Sequence, residues 1–449
     1  MRACALMATA LAMVGSVVGT FPSSASAGTA ALNEDIESIT LIPADGASVG
    51  FGDWDYAGRI DVMLHDDGLA VVETVRLEDY LAGVREVPTT WPSETLKAQA
   101  VAARSYLAWT LDRGRTQSGE RYDYDICATT QCQVYAGTSV GESLGGARWL
   151  DAIAATSSEI LLFGGEPAQT LYSSSAGSRT RPIEDVFGGS GKPYLQAVES
   201  PERGVTPFES WSVLMDVEVF RRILGRAGYA IGADVQSIRV DRPPEGAGQS
   251  TLFVASDTGR IGIPVVDIRW LFNDIGPELY PGLLPVRRPS GGRWPQTIMS
   301  YTFDVIHDQA PAGVANSLLP SLDLPAGGTV EFVGEGWGHG VGMSQWGAKA
   351  LGDQGASYEA ILAHYYGGLV PENGETALPN EVRVGLAAGV ALATVNLDGD
   401  VEMLINGVPV GVRGSGEWTF RAVNDGVLVL APVDQQSLGA LIAARRWPR

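Results

Sequence analysis

The longest periodic hydrophobic stretch of the chain lies in residues 92–111. Four of its apolar side chains recur at helical spacing, namely Leu96, Ala100, Ala103 and Leu107. Pro92 suits the first turn of a helix, where a missing N–H costs nothing, and Thr90 or Ser93 offers a capping oxygen. Because alanines let a neighbouring backbone approach closely, the segment predicts a helix that is buried on more than one side.

Shorter apolar runs elsewhere predict strands. Residues 59–64 and 69–75 flank Asp66-Asp67-Gly68, which is the pattern of a β-hairpin. Further short runs predict a β-rich insert at about residues 205–300. Runs joined by Asp-Gly, Asn-Gly and Gly-Ser turns predict a small, separate C-terminal β module at residues 380–435. Together these elements indicate a mixed α+β fold around a buried, alanine-rich helix.

The N-terminal residues have the pattern of a secretory signal. One arginine precedes an apolar run, and Ala25-Ser26-Ala27 follows as a small-residue cleavage site. Gly15 and Gly19 interrupt the run, which is short for a transmembrane helix, and no later run is long enough to span a membrane. We therefore expect export, cleavage after residue 27 and no transmembrane span in the mature chain. Residues 28–57 are then a polar N-terminal lead-in.

The charge balance narrows the class of partner. The chain of 449 residues has 52 acidic and 31 basic side chains, which gives a formal net charge of -21. A strongly acidic protein is a poor partner for nucleic acid and for an anionic membrane surface. The sequence has neither a P-loop nor an H-E-x-x-H motif, and we expect no cofactor and no metal.

The cysteines indicate a disulfide. Cys4 lies in the signal segment, so the mature chain keeps only Cys127 and Cys132. A pair so close in an exported protein is a disulfide candidate. None of the four histidines is near this pair in sequence, and two cysteines alone do not make a structural zinc site. We therefore favour a disulfide over zinc.

Glu86 is the candidate for acid–base chemistry. It lies between Arg85 and the apolar pair Val87-Pro88, with Tyr80 and Trp91 nearby in sequence. Desolvation by apolar neighbours raises the pKa of a carboxyl group, which a general acid requires, whereas a neighbouring arginine lowers it. Without further information, the simpler interpretation is a solvated surface charge.

Two further stretches combine glycine with polar side chains. Residues Ser173–Thr180 read SSSAGSRT, and small hydroxyl side chains with glycine suit a sugar, although a solvated turn is the simpler interpretation. In residues 336–342 every second residue is glycine, which suits a tight bend or contact with a ligand. Within it, His339 has the chemistry to bind a sugar or transfer a proton, or it is structural. Ser344 then suits the cap of a helix that carries Gln345.

Two long motifs resemble the signatures of the SpoIID/LytB family of sporulation and amidase-enhancer proteins. The first comprises LEDYLAGV, EVPTTWP and ETLKAQAVAARSY within residues 77–106. The second comprises GWGHGVGMSQWGAKAL at residues 336–351 and GASYEAILAHYYGG at residues 355–368. The resemblance covers roughly residues 58–369, so this range is the expected SpoIID-like domain, with the insert inside it.

The chain departs from the family pattern at three positions. Many members have two more residues before the glutamate, where this chain has only Arg85. Ala176 stands where glycine is commoner. Gln131 stands where some members have a histidine next to the second cysteine of a zinc site.

The resemblance implies a peptidoglycan lytic transglycosylase at the cell wall, with Glu86 as the catalytic residue. Neutral Glu86 would protonate the glycosidic oxygen after N-acetylmuramic acid, and its carboxylate would then take the proton of the 6-hydroxyl as the 1,6-anhydro ring closes. The resemblance also implies substrate-binding residues, namely Arg104, Ser173, Ser175, Gly177, Thr180, His339 and Gln345.

Two alternatives stay open. A hydrolytic glycosidase needs a second carboxylate, for which the sequence offers Asp79, Asp125 and Asp185. The amidase-enhancer branch of the family implies a non-catalytic module that binds the wall and stimulates a cell-wall amidase. The expected partners are therefore peptidoglycan glycan strands and, in the second case, such an amidase.

Overall fold

A computed structural model describes residues 30–33, 36–288, 290–308, 328–423 and 426–432. The predicted signal peptide lies outside these residues. Within the described ranges, none of the helices combines the length and the apolar character that crossing a membrane requires.

The secondary structure is mixed. The strands in chain order are β1 (Ala30–Asn33), β2 (Ser38–Pro43), β3 (Ser48–Phe51), β4 (Trp54–Tyr56), β5 (Arg59–His65), β6 (Gly68–Arg76), β7 (Ile126–Cys127), β8 (Glu159–Phe163), β9 (Glu166–Pro167), β10 (Tyr172–Ser173), β11 (Trp211–Asp216), β12 (Val235–Asp241), β13 (Thr251–Ser256), β14 (Gly259–Pro264), β15 (Phe303–Asp308), β16 (Thr329–Gly334), β17 (Met343–Ser344), β18 (Pro371–Asn373), β19 (Glu381–Val390), β20 (Leu392–Asp398), β21 (Val401–Ile405), β22 (Val408–Arg413), β23 (Gly416–Val423) and β24 (Gly426–Leu430). The α-helices are α1 (Leu77–Ala82), α2 (Ser93–Asp112), α3 (Gln117–Tyr122), α4 (Ser139–Glu142), α5 (Gly146–Ala155), α6 (Ile183–Phe187), α7 (Val217–Arg226), α8 (Val265–Leu279), α9 (Gln345–Asp353) and α10 (Tyr358–Tyr365), and Glu375–Ala377 is a 3₁₀ helix.

The chain divides into two compact units. Unit 1 consists of residues up to 169 and residues from 372 onward, and unit 2 consists of residues 170–371. Each unit combines helices with sheets, so the expected α+β class is confirmed.

Unit 1 is built on two large sheets. One has the strand order β22-β21-β2-β5-β6-β19-β7, and the other has the order β1-β24-β23-β20-β3-β4. The predicted hairpin is present as β5 and β6, whose ladder runs from Arg59 opposite Thr74 to His65 opposite Gly68. Most side chains of β6 are buried, which explains why this strand reads as a nearly continuous apolar run.

The two ends of the described chain share these sheets. β19 pairs with β6, β20 pairs with β3, and β21 pairs with β2, each in the antiparallel sense. The expected polar lead-in at residues 28–57 therefore contains strands, and the expected C-terminal module at residues 380–435 does not have a sheet of its own. Apolar alternation identifies a strand but carries little information about its partner, which explains the difference.

The predicted alanine-rich helix is α2. It packs against α5 and β8, and its central alanines are fully buried, so it is enclosed on more than one side as expected. Pro92 is the N-cap residue, and no side chain caps the helix. The expected capping oxygen of Thr90 or Ser93 is therefore wrong, because the chain enters α2 through a proline in extended conformation.

Unit 2 contains the predicted β-rich insert. Its sheet β12-β13-β14 lies within residues 235–264, and the sheet β11-β16-β15 packs with α7 around an aromatic core. In this core, Phe272 and Phe332 are in edge-to-face contact at 5.4 Å. Ser344 caps α9 and Ser357 caps α10 through their hydroxyl oxygens, and the Ser344 cap confirms the one expected from the sequence.

Candidate functional site

Glu86 lies in the loop between α1 and α2 and is half-buried. The backbone N–H of Val134 donates a hydrogen bond of 2.7 Å to Glu86 Oε1. The N–H of Arg85 in turn donates to the carbonyl oxygen of Val134 at 2.8 Å, and Val84 forms a β-bridge with Tyr135. The loop with Glu86 and the segment around Val134 therefore hold each other, and one carboxylate oxygen has a fixed position.

A buried network fixes this segment from behind. The Tyr80 hydroxyl donates to Gln133 Oε1 at 2.7 Å, and Gln133 Nε2 donates to the Ala103 carbonyl of α2 at 3.1 Å. The rings of Tyr80 and Tyr135 stack with their centroids 5.1 Å apart. Burial raises the pKa of Tyr80 well above its usual value, and the nearby charge of Glu86 adds to this. The Tyr80 hydroxyl therefore stays a hydrogen-bond donor over the physiological pH range.

A second buried carboxyl group, Glu73, lies behind Tyr135. The Tyr135 hydroxyl donates to Glu73 Oε2 at 2.7 Å, and the Gly58 N–H donates to Oε1 at 2.9 Å. Only 1 % of Glu73 is exposed, and burial raises its pKa to about 7. Glu73 belongs to none of the sequence motifs, although a glutamate within the apolar run of β6 is a signal for a buried polar contact.

The predicted disulfide between Cys127 and Cys132 is confirmed, with a Cα–Cα distance of 5.5 Å. Cys127 belongs to β7, which pairs with β19, and Cys132 immediately precedes Gln133. The disulfide thus ties the segment that binds Glu86 to the large sheet. In the part of the chain that the structure describes, three or more histidine, cysteine or acidic side chains do not gather into a metal-binding group.

Arg104 is fully buried in α2. Its guanidinium donates to the carbonyl oxygens of Thr156 and Glu159, at 2.8 and 3.2 Å, and forms an ion pair with Glu78 at 3.2 Å. These contacts join α2 to the end of α5 and the start of β8. This position fits a structural role, and not the contact with substrate that the resemblance implies, because a ligand cannot reach a side chain without exposed surface.

The candidates for a second carboxylate are engaged within the protein. Asp79 lies 3.9 Å from Arg76, and Asp125 accepts a hydrogen bond of 2.8 Å from Arg115. Asp185 lies in unit 2 and accepts hydrogen bonds from two backbone N–H groups. Each carboxylate therefore has a structural partner.

The hydroxyl groups of the serine-rich loop of unit 2 point into the protein. Ser173 Oγ accepts a hydrogen bond from the Gly340 N–H at 3.1 Å, and Thr180 Oγ1 accepts one from the Val198 N–H at 2.8 Å. Ser173 is 7 % exposed and Thr180 is 2 % exposed. Gly177 adopts a left-handed conformation with φ of 78° in a tight turn. These residues shape the loop, and their position differs from the sugar-facing one that the sequence suggested.

Ser175 lies next to another buried carboxyl group, Glu202, which no sequence motif identifies. The Ser344 hydroxyl donates to Glu202 Oε2 at 2.8 Å, and Thr206 Oγ1 donates to Ser175 Oγ at 3.3 Å. Glu202 has no exposed surface, and burial raises its pKa to about 7. Gln345 is 5 % exposed at the start of α9. This cluster therefore fixes the start of α9 to the serine-rich loop.

The alternating glycines of residues 336–342 allow close packing against that loop. A Cβ atom on Gly338 would lie 2.7 Å from the Cβ of Ser173, and one on Gly342 would lie 2.0 Å from the carbonyl oxygen of Leu171. Both glycines have positive φ, 107° and 70°. The contacts that require glycine here are thus with the protein itself, namely the Ser173 side chain and the Leu171 backbone.

His339 is half-buried, and the edge of its ring meets Phe187 with 5.6 Å between centroids. Its Nδ1 accepts a hydrogen bond from the Val341 N–H at 3.0 Å. Burial lowers the pKa of His339 to about 4, and the positive charge of Arg269 makes a smaller contribution in the same direction. The ring is therefore neutral at neutral pH, which favours the structural interpretation over proton transfer.

This chain is similar in sequence to a known protein family and to several of its relatives. The SpoIID family, described as Stage II sporulation protein, matches residues 65–163, which include Glu86, α2 and the disulfide. Stage II sporulation protein D of Bacillus amyloliquefaciens is 28% identical over 313 residues, which are 66% of this chain and 74% of that protein.

Two further relatives come from Bacillus subtilis strain 168. Its Stage II sporulation protein D is 24% identical over 328 residues, which are 70% of this chain and 79% of that protein. Its Amidase enhancer is 28% identical over 295 residues, which are 63% of this chain but only 38% of that protein. The signature motifs, the matched domain and these relatives together support the SpoIID/LytB family for this chain.

Proposed function

We propose that the protein is an exported lytic transglycosylase that cleaves peptidoglycan glycan strands after N-acetylmuramic acid and leaves a 1,6-anhydro end. The observation that carries the proposal is the half-buried Glu86, whose Oε1 is fixed by the Val134 N–H at 2.7 Å. A catalytic acid must have a defined direction relative to the bond it protonates, and a rigid second layer provides this.

One carboxyl group suffices for this reaction. Glu86 gives its proton to the glycosidic oxygen, and the bond between that oxygen and the anomeric carbon breaks. The resulting carboxylate takes the proton of the 6-hydroxyl of the same sugar, and the 6-oxygen forms the new bond to the anomeric carbon. The positive charge that develops at the anomeric carbon is neutralised by the 6-oxygen of the same sugar, and no water is consumed.

The engaged state of the other carboxylates favours this route over hydrolysis. An ordinary glycosidase places a second carboxylate across the scissile bond, as a base or as a nucleophile. Asp79 and Asp125 of unit 1 instead face arginine side chains. Glu73 is buried and bonded to Tyr135, so it has no access to a glycan.

A second candidate function is a non-catalytic module that binds the cell wall and stimulates a wall amidase. The similarity of this chain to one region of the Amidase enhancer favours this candidate. In this case the protein would still bind glycan strands, but its effect would be independent of Glu86 as an acid.

The test is mass spectrometry of products from purified glycan strands, with and without stem peptides. Wild type is compared with Glu86→Gln and with Glu120→Gln, a control at an exposed carboxyl of α3. We expect sugars that end in 1,6-anhydro-N-acetylmuramic acid from wild type and the control, and none from Glu86→Gln. Reducing ends would establish hydrolysis. No cleavage, together with stimulation of an amidase by Glu86→Gln, would establish the second candidate.

A further inference from the structure

Arg85 directly precedes Glu86 in the loop between α1 and α2. Its side chain is exposed, and its guanidinium carbon lies 4.7 Å from the centroid of the half-buried Trp54 ring. Stacking on an indole face holds a guanidinium in one plane and leaves its N–H groups directed outward in that plane. Arg85 therefore presents an oriented set of donors next to Glu86.

The charge of Arg85 has no acidic partner within the described residues. Several other arginines of unit 1 do have one: Arg59 pairs with Asp61, and Arg115 pairs with Asp125. Arg85 differs from these arginines because it stacks on an indole ring and has no ion pair. Its donors are available for an anion from outside the protein.

One backbone segment fixes the positions of both Arg85 and Trp54. Arg85 donates its N–H to Val134, and the Thr138 N–H donates to the carbonyl oxygen of Asp55 at 2.9 Å, next to Trp54. Residues 134–138 thus hold Arg85, Glu86 and β4 in one arrangement. Trp54 belongs to β4 and lies outside the matched range 65–163.

We propose that Arg85, held by Trp54, is a subsite that binds the carboxylate of an N-acetylmuramic acid residue next to the bond that Glu86 cleaves. This inference rests on the proposed glycan substrate, and it adds the selection of an acidic sugar over a neutral one. The carboxylate comes from the lactyl group in strands without stem peptides, and from the peptide in strands that carry them. We assign the lactyl group, because it is attached to the sugar ring itself and is therefore the nearer of the two to the scissile bond.

The binding test uses the Glu86→Gln protein, which separates binding from cleavage. Calorimetry compares three probes: strands without stem peptides, the same strands with their lactyl carboxylates converted to methylamides, and strands that keep their peptides. We expect the free lactyl form to bind about fivefold more tightly than the methylamide, since an exposed ion pair is modest, and we expect the difference to shrink at high salt. Strands with peptides should bind like the methylamide.

Adding Arg85→Gln should remove the preference and leave binding of the methylamide unchanged. Arg85→Lys should restore only part of it, because lysine lacks the planar, stacked fork. Arg76→Gln is the matched control, since Arg76 is exposed and its loss changes the net charge equally. Circular dichroism verifies that each variant is folded.

The inference is overturned if the Arg85→Gln protein keeps the preference, if the Arg76→Gln control loses it equally, or if the free and methylamide strands bind alike. A preference for strands with peptides would assign the anion to the peptide and overturn the lactyl assignment. Cleavage by wild type is measured separately. Absence of cleavage with an intact, Arg85-dependent preference would reject the transglycosylase and keep the subsite.

Discussion

The buried carboxyl group of Glu73 predicts an unusual dependence of stability on pH. Its pKa is about 7 in the folded protein, against 4.5 for an ordinary glutamate. The folded state therefore holds this proton more tightly than the unfolded chain does. This contribution to stability is complete below pH 4.5, and it is lost as the pH rises through 7.

The size of the effect follows from the difference of the two pKa values. Between pH 4.5 and 7 each pH unit costs about 1.4 kcal/mol, so the total loss for this one group is about 3 kcal/mol. Glu73→Gln removes the titration, because an amide stays neutral. The amide oxygen accepts the hydrogen bond from the Gly58 N–H. The amide N–H₂ group donates to the Tyr135 hydroxyl, which reverses the direction of that hydrogen bond.

The assay is urea denaturation of wild type and Glu73→Gln at pH 5, 6, 7 and 8. We expect the variant to be similar to wild type at pH 5 and to gain about 3 kcal/mol relative to it by pH 8. Glu120→Gln, at an exposed position, should run parallel to wild type. A difference between Glu73→Gln and wild type that stays constant from pH 5 to 8 would refute the reasoning.

Three other changes test the packing. Gly338→Ala should lower stability by more than about 2 kcal/mol, because Gly338 has a positive φ and an added Cβ would make a short contact. Gly225→Ala in α7 has open space around it and should be neutral or stabilising, and thermal unfolding distinguishes the two variants. Arg104→Met should cost about 3 kcal/mol of stability in denaturation, because it leaves buried carbonyl groups unpaired. The activity per folded molecule should equal that of wild type, whereas loss of a substrate contact would raise KM. Replacing Cys127 and Cys132 by serine should cost about 2 kcal/mol and slow glycan cleavage, because the segment that binds Glu86 loses its anchor; equal rates would contradict this role.

Local patterns in the sequence were sufficient to predict local structure. The apolar period of residues 92–111 gave α2, the Asp-Asp-Gly turn gave the hairpin, and Ser344 gave the cap of α9. The spacing of the cysteine pair gave the disulfide. In each case the determining interactions lie within about one helical turn or one strand pair, so the residues that decide the structure are neighbours in the chain.

Long-range pairing was beyond the sequence patterns. The strands of residues 381–405 alternate in the same way whether they form their own sheet or join β2 and β6, so their actual partners could not be identified. α8 was not predicted either, since Gly276 and Pro277 near its end are typical of a turn.

The roles of polar side chains were equally ambiguous. A conspicuous arginine such as Arg104 can bind a ligand or hold a core together, and only its burial and its carbonyl partners distinguish the two. The same holds for Ser173 and Thr180, whose hydroxyls satisfy backbone groups. Glu73 and Glu202 belong to no motif, so their burial was apparent only from the structure.

The place of β19 has a consequence for the time course of synthesis. β19 lies between β6 and β7, yet about 300 residues separate it from β6 along the chain. A ribosome adds about 5–20 residues per second, so it needs roughly 15–60 s to produce that stretch. Throughout this interval β6 has an open edge that invites pairing with another nascent chain. The newly made chain therefore needs protection from its neighbours, and the sheet that supports Glu86 closes only once β19 has been translated.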